Sequence, residues 1–358
     1  MNLIDYIKHK ENICINYKPK KNKILVYDAL SLKFAKNLFS NFPITVFHTR
    51  YDGVSIYILF KTLIENGFTN FRNNYKKNFF SFVSPKIIFS AIDNNMSFFK
   101  LKSLYPIATY IADQNGMRNN KFYIQCRQYL RNKKSNKLIS DYFFCFGQNE
   151  KKRLKKIISG RIYPYGKTLN NLNKYIKIKK FKLKKIIFIS SLNLDIFPND
   201  LKAFKNLTKI CLRRNLELYF LDRVKMNNLD FLKKKGVSDS FKYLKNSKFD
   251  PKKNKFFENS IFLFSHSTLG YELLSRGYRV GCFNNNYIEH FVEKKYPRSG
   301  NFWENSIIID SLEKLISKIE NYNQIEWNRI VKKYSKDLLI YDKNNNSKKK
   351  IIKKILFK

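Results

Sequence analysis

Cysteine and histidine are scarce in this chain and are scattered along it. Five cysteines occur without a Cys-x-x-Cys pair or a paired spacing: Cys14, Cys126, Cys145, Cys211 and Cys282. The four histidines are just as dispersed: His9, His48, His266 and His290. Because disulfide frameworks and zinc sites need paired or closely grouped ligands, the sequence predicts neither. Cys145 and Cys282 lie inside apolar runs, which is typical of small buried side chains.

Glycine, proline and long apolar runs are also in short supply. Eleven glycines and eight prolines in 358 residues argue against a low-complexity or fibrous chain. The N-terminus carries no apolar signal core, and no window of about 18–20 apolar residues occurs, so no membrane-spanning helix is predicted. The sequence therefore predicts a cytoplasmic protein, either free or resting peripherally on the inner membrane.

Acidic residues are also scarce in this chain relative to basic ones. The chain has 27 of them against 71 basic residues, which gives a formal net charge of +44. The electric field of a protein with this charge attracts polyanions, including nucleic acids, anionic lipid surfaces and phosphorylated substrates. Lysine outnumbers arginine and is spread over the whole chain, whereas a dedicated nucleic-acid surface clusters its basic residues. The pattern favours compositional drift with a general preference for anions, and nucleic acid is not expected as a specific partner.

Apolar residues, by contrast, make up 44% of the sequence, and aromatic residues make up 16%. Short, nearly continuous apolar runs alternate with helix-like patterns, as in "KILVYDA" followed by "LSLKFAKNLF". Strands of this kind are typical of parallel sheets that helices cover on both faces. We therefore predict an α/β fold with two Rossmann-like domains, whose parallel sheets face each other across a cleft.

Two polar, basic segments predict the domain organisation. The first, "PYGKTLNNLNKYIKIKKFKLKK", lies between the two halves. We predict an N-terminal domain at 1–167, a basic linker at 168–184, a C-terminal domain at 185–342 and a flexible basic tail at 343–358. Within the tail, Ile351–Phe357 mixes Ile, Leu and Phe with Lys. This pattern predicts either a frayed end helix or an anchor on anionic lipid.

The stretch "IFLFSHSTLGYELLSRGYRVGCFN" places a polar turn after an apolar run. A parallel strand ending at Phe264 would bring Ser265 and the following polar residues to the carboxyl edge of its sheet, where open α/β sheets bind ligands. Ser267 or Thr268 can cap the helix that follows. The free N–H groups and the positive end of that helix would favour an anion.

Three more residues extend this pattern. Gly270 would leave the first helical turn open to a phosphate, and Glu272, one turn in, could accept hydrogen bonds from the hydroxyls of a ribose. Gly277 would then end the helix. A phosphate and a ribose together describe a nucleotide. An ordinary capped helix between two strands is the alternative, and spacing alone does not separate the two.

Several pieces of the sequence resemble one family in order and spacing. "SHSTLGYELLSRGYRVGCFN" is similar to the signature of bacterial surface-carbohydrate, O-antigen-type biosynthesis proteins of the leptospiral type. "PKIIFSAIDNNMSFFKLKSLYP", "IADQNGMRNN", "YFFCFGQNEKKRLKK" and "IYPYGK" resemble further segments of those proteins. The resemblance runs from about Lys86 to Trp303. It implies a two-domain, GT-B-like glycosyltransferase that uses a nucleotide-sugar donor and a surface-polysaccharide or lipid-linked glycan acceptor.

The resemblance also implies roles for individual residues. Ser267, Thr268 and Gly270 would hold the donor phosphates, and Glu272 would bind the ribose. The nucleotide side would also include Ser190 and Ser191, with Lys167 at the hinge near the leaving phosphate. The residues implied for the acceptor side are Asp93, Asn94, Gln114, Asn115 and Arg118. Lys167 stands where the family usually has Ser, and this departure leaves the acceptor open.

Sugar transfer needs a stabilised leaving phosphate and a deprotonated acceptor hydroxyl. The helix N-terminus with Lys167 or Arg276 could stabilise the leaving group, and His266 could donate a hydrogen bond to it. Asp93 and Asp113, each at the end of a predicted strand, are the candidate bases, with a capping or turn role as the alternative. No Asp-x-Asp metal motif occurs, so we expect metal-independent chemistry without a cofactor.

Two other functions fit parts of this pattern. A nucleotide-sugar 2-epimerase shares the fold and a Ser…Glu turn, but it needs acids and histidines grouped around the sugar carbon, and the scattered histidines weigh against it. A basic protein that binds membranes or nucleic acid would need only the positive charge. Its binding should depend on salt and should not depend on Glu272.

Overall fold

The computed structural model describes most of the chain. The described ranges are 14–16, 18–49, 53–118, 120–132, 137–176, 180–190, 194, 198–222, 228–237, 240–245, 254–265, 267–283 and 300–357. They fall into two compact units. The first takes the described residues within Met1–Asn115, Phe122–Asn171 and Asn344–Lys358, and the second takes those within Gly116–Lys121 and Leu172–Lys343.

The first unit contains a six-stranded parallel sheet. Its strands are β2 (Ile24–Tyr27), β3 (Ile44–Phe47), β5 (Ile87–Ser90), β6 (Thr109–Asp113), β7 (Leu138–Cys145) and β8 (Ile158–Pro164), in the order β3-β2-β5-β6-β7-β8. Two short strands, β1 (Cys14–Asn16) and β4 (Gly53–Ser55), pair separately in parallel. The helices of this unit are α1 (Leu32–Leu38), α2 (Ile56–Asn66), α3 (Phe71–Val83), α4 (Leu101–Leu104), α5 (Asn120–Asn132) and α6 (Gln148–Leu154).

Apolar runs form the central strands of this sheet because both faces are covered. Every residue of β2 and of β5 is buried. Successive side chains of a strand point to opposite faces, so Leu25 packs in one apolar core with Ile88, while Val26 packs in the other with Phe89. The near-continuous apolar pattern is therefore the pattern of a sheet buried on both sides.

The second unit contains another six-stranded parallel sheet. Its strands are β9 (Lys185–Ile189), β10 (Glu217–Asp222), β11 (Lys242–Lys245), β12 (Ser260–Phe264), β13 (Arg279–Phe283) and β14 (Trp303–Glu304), in the order β11-β10-β9-β12-β13-β14. The helices are α7 (Pro198–Arg213), α8 (Leu229–Lys234), α9 (Asn254–Phe257), α10 (Thr268–Ser275), α11 (Ile309–Asn321) and α12 (Gln324–Asp337). Two parallel six-stranded sheets confirm the predicted α/β class with two Rossmann-like domains.

The last helix, α13 (Asn346–Leu356), belongs to the first unit. Its residues Ile352 and Leu356 are buried in the same apolar core as Val26 and Phe89 of the central strands. The predicted flexible tail is therefore wrong over this helix. The predicted lipid anchor is wrong as well, because the apolar face of α13 is already covered by the core of the first unit.

Within the ranges given above, no helix combines the length and the apolar character needed to cross a bilayer.

Candidate functional site

The strand order of the second unit reverses between β9 and β12. From β9 the chain moves outward to β10 and β11, and it then returns to place β12 on the other side of β9. In open α/β sheets, ligands bind outside the carboxyl ends of the strands at such a reversal. Ser190 directly follows β9, and Ser265 directly follows β12. This edge is therefore the candidate nucleotide site.

Helix α10 begins at this edge with a side-chain cap. Ser267 has extended backbone angles, and its Oγ accepts a hydrogen bond from the Leu269 N–H at 3.3 Å. The Ser267 carbonyl accepts a second one from the Gly270 N–H at 3.2 Å. The predicted cap and the predicted helix start are confirmed. The positive end of the helix dipole lies at Ser267, where it favours a bound anion.

Thr268 connects this helix start to a second loop. The Thr268 Oγ1 accepts a hydrogen bond from the Met117 N–H at 3.4 Å, so its own proton can be donated to a ligand. Met117 belongs to the segment Gly116–Lys121, whose contacts group it with the second unit. Arg118 lies in the same segment. The structure therefore groups Arg118 with the second unit rather than with the first unit, where the sequence placed it.

Gly270 has a packing role that the sequence did not predict. It is buried, and a Cβ added to it would come within 2.3 Å of the Phe264 ring. The missing side chain therefore lets α10 pack closely against β12. The prediction that Gly270 opens the turn for a phosphate is corrected, because this glycine faces Phe264.

Glu272 lies one turn further along α10 and is half-buried. Its backbone carbonyl accepts hydrogen bonds from the Ser275 hydroxyl at 2.9 Å and from the Arg276 Nε at 3.4 Å. Gly277 ends the helix at a φ of 91°, as predicted. Its N–H bonds to the Leu274 carbonyl and the next N–H bonds to that of Leu273, which is the Schellman pattern.

Arg276 lies at the opposite end of α10 from Ser267. Nine residues at about 1.5 Å each separate the two positions by about 13 Å along the helix axis. The Arg276 side chain is 1% exposed, lies over the Tyr278 ring, and has its pKa lowered by burial. This placement does not fit the predicted contact with a leaving phosphate. Arg276 packs inside the second unit instead.

Two polar residues at the sheet edge were not predicted as site residues. The Ser265 Oγ donates a hydrogen bond to Asp200 Oδ1 at 2.8 Å, and both side chains are buried. Asp200 stands in the first turn of α7. The sequence signal that could have identified Asp200 is an acidic residue in the first turn of a helix. Such a residue usually does no more than stabilise its own helix.

Asp113 is enclosed in a buried ion pair of the first unit. Its Oδ1 accepts from the Lys348 Nζ at 2.6 Å, and its Oδ2 accepts from the Thr168 Oγ1 at 2.6 Å. Asp113 and Lys348 are both fully buried. Burial raises the pKa of the Asp113 carboxyl, and the Lys348 ammonium limits that rise. Because both oxygens are engaged away from solvent, the geometry contradicts the predicted role of Asp113 as a base.

Asp93 and Gln114 are buried as well. Asp93 is 1% exposed, and its Oδ1 accepts a hydrogen bond from the Asn115 N–H at 3.2 Å. The Gln114 amide donates to Glu150 Oε2 at 3.2 Å and accepts from the Phe146 N–H at 2.9 Å. These contacts hold the ends of neighbouring strands together, so the geometry favours the turn role for Asp93 and a structural role for Gln114.

The other predicted residues of the first unit are more accessible. Asn94 and Asn115 are exposed, and Lys167 is half-buried with its carbonyl accepting from the Asn171 N–H at 3.0 Å. Ser191 and His266, both predicted on the nucleotide side, lie outside the described residues. Among the residues that are described, no three His, Cys, Asp or Glu side chains are grouped closely enough to hold a metal ion.

Comparison with known proteins gives one family match and several solved structures with a similar fold. Residues 192–356 match the family described as "putative O-antigen biosynthesis protein". This match confirms the resemblance over the part of the sequence that the two share, from residue 192 to Trp303, and it covers the candidate nucleotide edge from Asp200 to Glu272. A search of curated protein sequences gives no match.

Solved structures resemble the chain at low sequence identity. The UDP-GlcNAc 2-epimerase of Methanocaldococcus jannaschii, in complex with UDP-GlcNAc and UDP, has a TM-score of 0.53 at 12% identity, over 94% of this chain and 99% of that one. The wall teichoic acid polymerase TagF, in its H548A form, has a TM-score of 0.51 at 11% identity, over 94% and 88%. A GtfA/B complex has a TM-score of 0.50 at 10% identity, and this chain spans 80% of its own length and only 61% of that chain.

Identities this low establish the fold alone. The chain therefore has the GT-B-like, two-Rossmann-domain fold that glycosyltransferases and UDP-GlcNAc 2-epimerases share, and over residues 192–356 it matches the O-antigen biosynthesis family.

Proposed function

We propose that the protein is a metal-independent glycosyltransferase, which moves a sugar from a nucleotide-sugar donor to a surface-polysaccharide or lipid-linked glycan acceptor. One observation carries the proposal: at the strand reversal of the second unit, α10 begins at the capping residue Ser267 and carries the half-buried Glu272 one turn later. This arrangement offers a positive helix end to a phosphate and a carboxylate to a ribose.

In the proposed reaction, the leaving nucleoside phosphate gains negative charge as the sugar departs. The positive end of α10 and the Thr268 hydroxyl are fixed before the reaction begins, so they can stabilise that charge without reorganising. The Glu272 carboxylate would accept hydrogen bonds from the two ribose hydroxyls and thereby set the register of the nucleotide. Ser190 follows β9 at the same edge of the sheet but is only 2% exposed, so we assign it no contact with the nucleotide.

A nucleotide-sugar 2-epimerase is the second candidate, because the M. jannaschii epimerase shares the fold and was crystallised with UDP-GlcNAc and UDP. Both functions use a nucleotide sugar, so the nucleotide site serves either one. They differ in whether the reaction needs a second substrate. The match to an O-antigen biosynthesis family supports a role in glycan assembly and is compatible with both.

The proposal is tested first by nucleotide binding. Thermal-shift measurements of the full chain with CMP, CDP, UDP, GDP and dTDP should show a raised melting temperature for at least one of them, because a ligand that binds the native state stabilises it by mass action. Glu272→Gln should weaken binding of that nucleotide by about tenfold or more, since it removes charge-assisted hydrogen bonds. Glu258→Gln, at an exposed position of the same unit, is the matched control and should bind as the parent does.

Incubation with a radiolabelled sugar donor then separates the two candidates. A transferase gives a labelled glycan only when an acceptor is present, whereas an epimerase changes the sugar without any acceptor. The proposal fails if none of the five nucleotides changes the melting temperature, or if Glu272→Gln and Glu258→Gln bind equally well. Epimerised donor in the absence of acceptor would replace the proposal with the second candidate.

A further inference from the structure

The first unit has a cavity of about 580 Å³ at the carboxyl ends of β2 and β3. Tyr27 and Asp28 line it at the end of β2, Phe47 and His48 line it at the end of β3, and α3 covers one side. The volume falls within the range of about 300–1,000 Å³ that is usual for small-molecule sites. None of the acceptor-side residues predicted from the sequence lines this cavity.

Two pairs of aromatic rings line the cavity. The rings of Tyr27 and Phe47 are stacked, with centroids 5.6 Å apart and planes inclined by 2°. Phe71 and Tyr75 of α3 form a second stacked pair, with centroids 6.4 Å apart. Flat aromatic faces favour contact with a ring or another apolar group. The cavity therefore suits a ligand with an apolar part.

Lys76 is the unusual residue of this cavity. It lines the wall although the residue is only 8% exposed. Within the described part of the chain no carboxylate lies at ion-pair distance from it, and the charged groups that act on it are the cations Arg72 and Lys100. Burial and these two cations lower the pKa of Lys76 to about 8. A largely enclosed lysine with no counter-ion among the described residues is unfavourable, so its ammonium favours an anion from a ligand.

The other charges on the wall do not supply that anion. Arg72 precedes Lys76 by one helical turn and lines the same cavity. Asp28 is a carboxylate, but its Oδ2 accepts a hydrogen bond from the Thr49 hydroxyl at 2.5 Å and its Oδ1 accepts one from the Leu30 N–H at 2.9 Å. Its backbone is held at a φ of 84°. Asp28 is thus tied to the chain turn after β2, while two cations face the cavity.

We propose that this cavity binds a phosphate monoester whose organic part carries a ring or another apolar group. Lys76 and Arg72 hold the phosphate. Two cations on one helix face match the two charges of a phosphate dianion better than they match the single charge of a carboxylate. The apolar part lies on the aromatic walls. On the proposed function, this ligand is the acceptor, which then carries a phosphate. The phosphate head of a lipid-linked acceptor and a soluble sugar phosphate share this chemistry.

The test compares phenyl phosphate, benzyl alcohol and inorganic phosphate in calorimetric titrations of the full chain. Phenyl phosphate should bind most tightly, because it alone offers both the dianion and the ring. Lys76→Met should weaken its binding by about tenfold or more. Lys77→Met is the matched control, since Lys77 is the next residue of α3 and is exposed. It should bind phenyl phosphate as the parent does.

Stability separates a ligand-binding lysine from a structural one. Lys76→Met should keep or raise the melting temperature without ligand, because it removes a largely enclosed ammonium that has no counter-ion among the described residues. A structural lysine would lower it on removal. If Lys76→Met failed to fold, the claim that Lys76 destabilises the ligand-free protein would be wrong. Arg72→Gln, at an exposed position, then still tests the anion site by its own loss of phenyl phosphate affinity.

The pH dependence gives an independent readout. A phosphate monoester is a dianion above its second pKa of about 6, and the free protein loses the Lys76 proton near pH 8. Affinity should therefore fall about tenfold between pH 7 and pH 9, since binding requires the protonated amine. Tyr27 and Tyr75, whose pKa values burial raises, also face the cavity, as do His48 and Asp28. A dependence that persisted in Lys76→Met would belong to one of those groups and would overturn the assignment to Lys76.

Two further arms complete the design. Equal binding of benzyl alcohol and phenyl phosphate, or of phenyl phosphate to the parent and to Lys76→Met, would overturn the proposal. Comparing the affinities of farnesyl phosphate in micelles and of glucose 1-phosphate shows whether a lipid phosphate or a soluble sugar phosphate fits the cavity better.

The nucleotide panel separates this site from the proposed nucleotide site. Lys76→Met should bind each nucleotide as the parent does. Absence of nucleotide binding together with intact phenyl phosphate binding would reject the proposed function and leave the anion site standing.

Discussion

At the scale of single residues, the contact between Gly270 and Phe264 decides how α10 meets the sheet. Phe264 is fully buried, and its ring stands edge-on to that of Tyr271 at 5.0 Å. A Cβ at position 270 would clash with the Phe264 ring. The glycine therefore lets the start of α10 approach the end of β12. The position of Ser267 and Thr268 therefore depends on a residue that would not touch the nucleotide.

Gly270→Ala should lower the stability of the protein by about 1–3 kcal/mol, because overpacking a filled core forces neighbouring groups to move. It should also weaken nucleotide binding, since the helix start moves with them. Phe264→Leu in the same chain should restore part of both losses. Gly300→Ala is the control, because its added Cβ would make ordinary contacts of 3.6 Å or more. Chemical denaturation and the thermal-shift panel measure the two effects. An unchanged stability in Gly270→Ala would contradict the packing role.

The residues of the site differ in how far the sequence could predict them. The cap at Ser267 and the helix end at Gly277 depend on backbone groups two to five residues away, so the local sequence was enough to predict both. Asp113 was misjudged because its partner Lys348 lies 235 positions later. The enclosure of Lys76 without a counter-ion among the described residues could not be predicted either, because burial of a lysine depends on which helix face meets the sheet.

At the scale of elements, α13 is the part of the chain whose role changes most between sequence and structure. Its polar beginning suggested flexibility, yet Asn345 receives a hydrogen bond from the Asn171 amide at 2.9 Å and donates one to the Thr168 carbonyl at 3.1 Å. The Lys348 ammonium adds bonds to Gly166 and Thr168 beside its pair with Asp113. The central strands were predictable because their apolar runs are local, whereas this polar network is assembled from distant segments.

Breaking this network should destabilise the first unit. Asp113→Asn or Lys348→Met alone should lower the free energy of unfolding by about 3–5 kcal/mol, because each leaves one buried charge uncompensated. The double variant should lose less than the sum of the two, since it leaves neither charge. Glu65→Gln, which removes an exposed pair with Lys61, is the control and should change stability by less than about 1 kcal/mol. Urea titrations measure all four variants. Additive losses in the double variant would contradict the coupling.

At the scale of the whole molecule, the charge of +44 acts alongside the two candidate sites. Its field extends only about one Debye length, which is about 8 Å at physiological ionic strength. Long polyanions gain from it by releasing counter-ions, whereas a nucleotide occupies a few fixed contacts. The general attraction and the specific site should therefore respond differently to salt and to mutation.

Binding of DNA to the protein should fall steeply as KCl rises from 50 to 300 mM, because each phosphate neutralised by a lysine releases a condensed ion. Binding of the preferred nucleotide should fall much less over the same range. Glu272→Gln should abolish most of the nucleotide affinity and leave the DNA affinity unchanged or slightly higher, since it removes one negative charge. Fluorescence anisotropy with labelled DNA and with a labelled nucleotide follows both in the same samples. DNA binding that resisted salt would indicate a built nucleic-acid surface, and the role assigned to the excess of lysine would then be wrong.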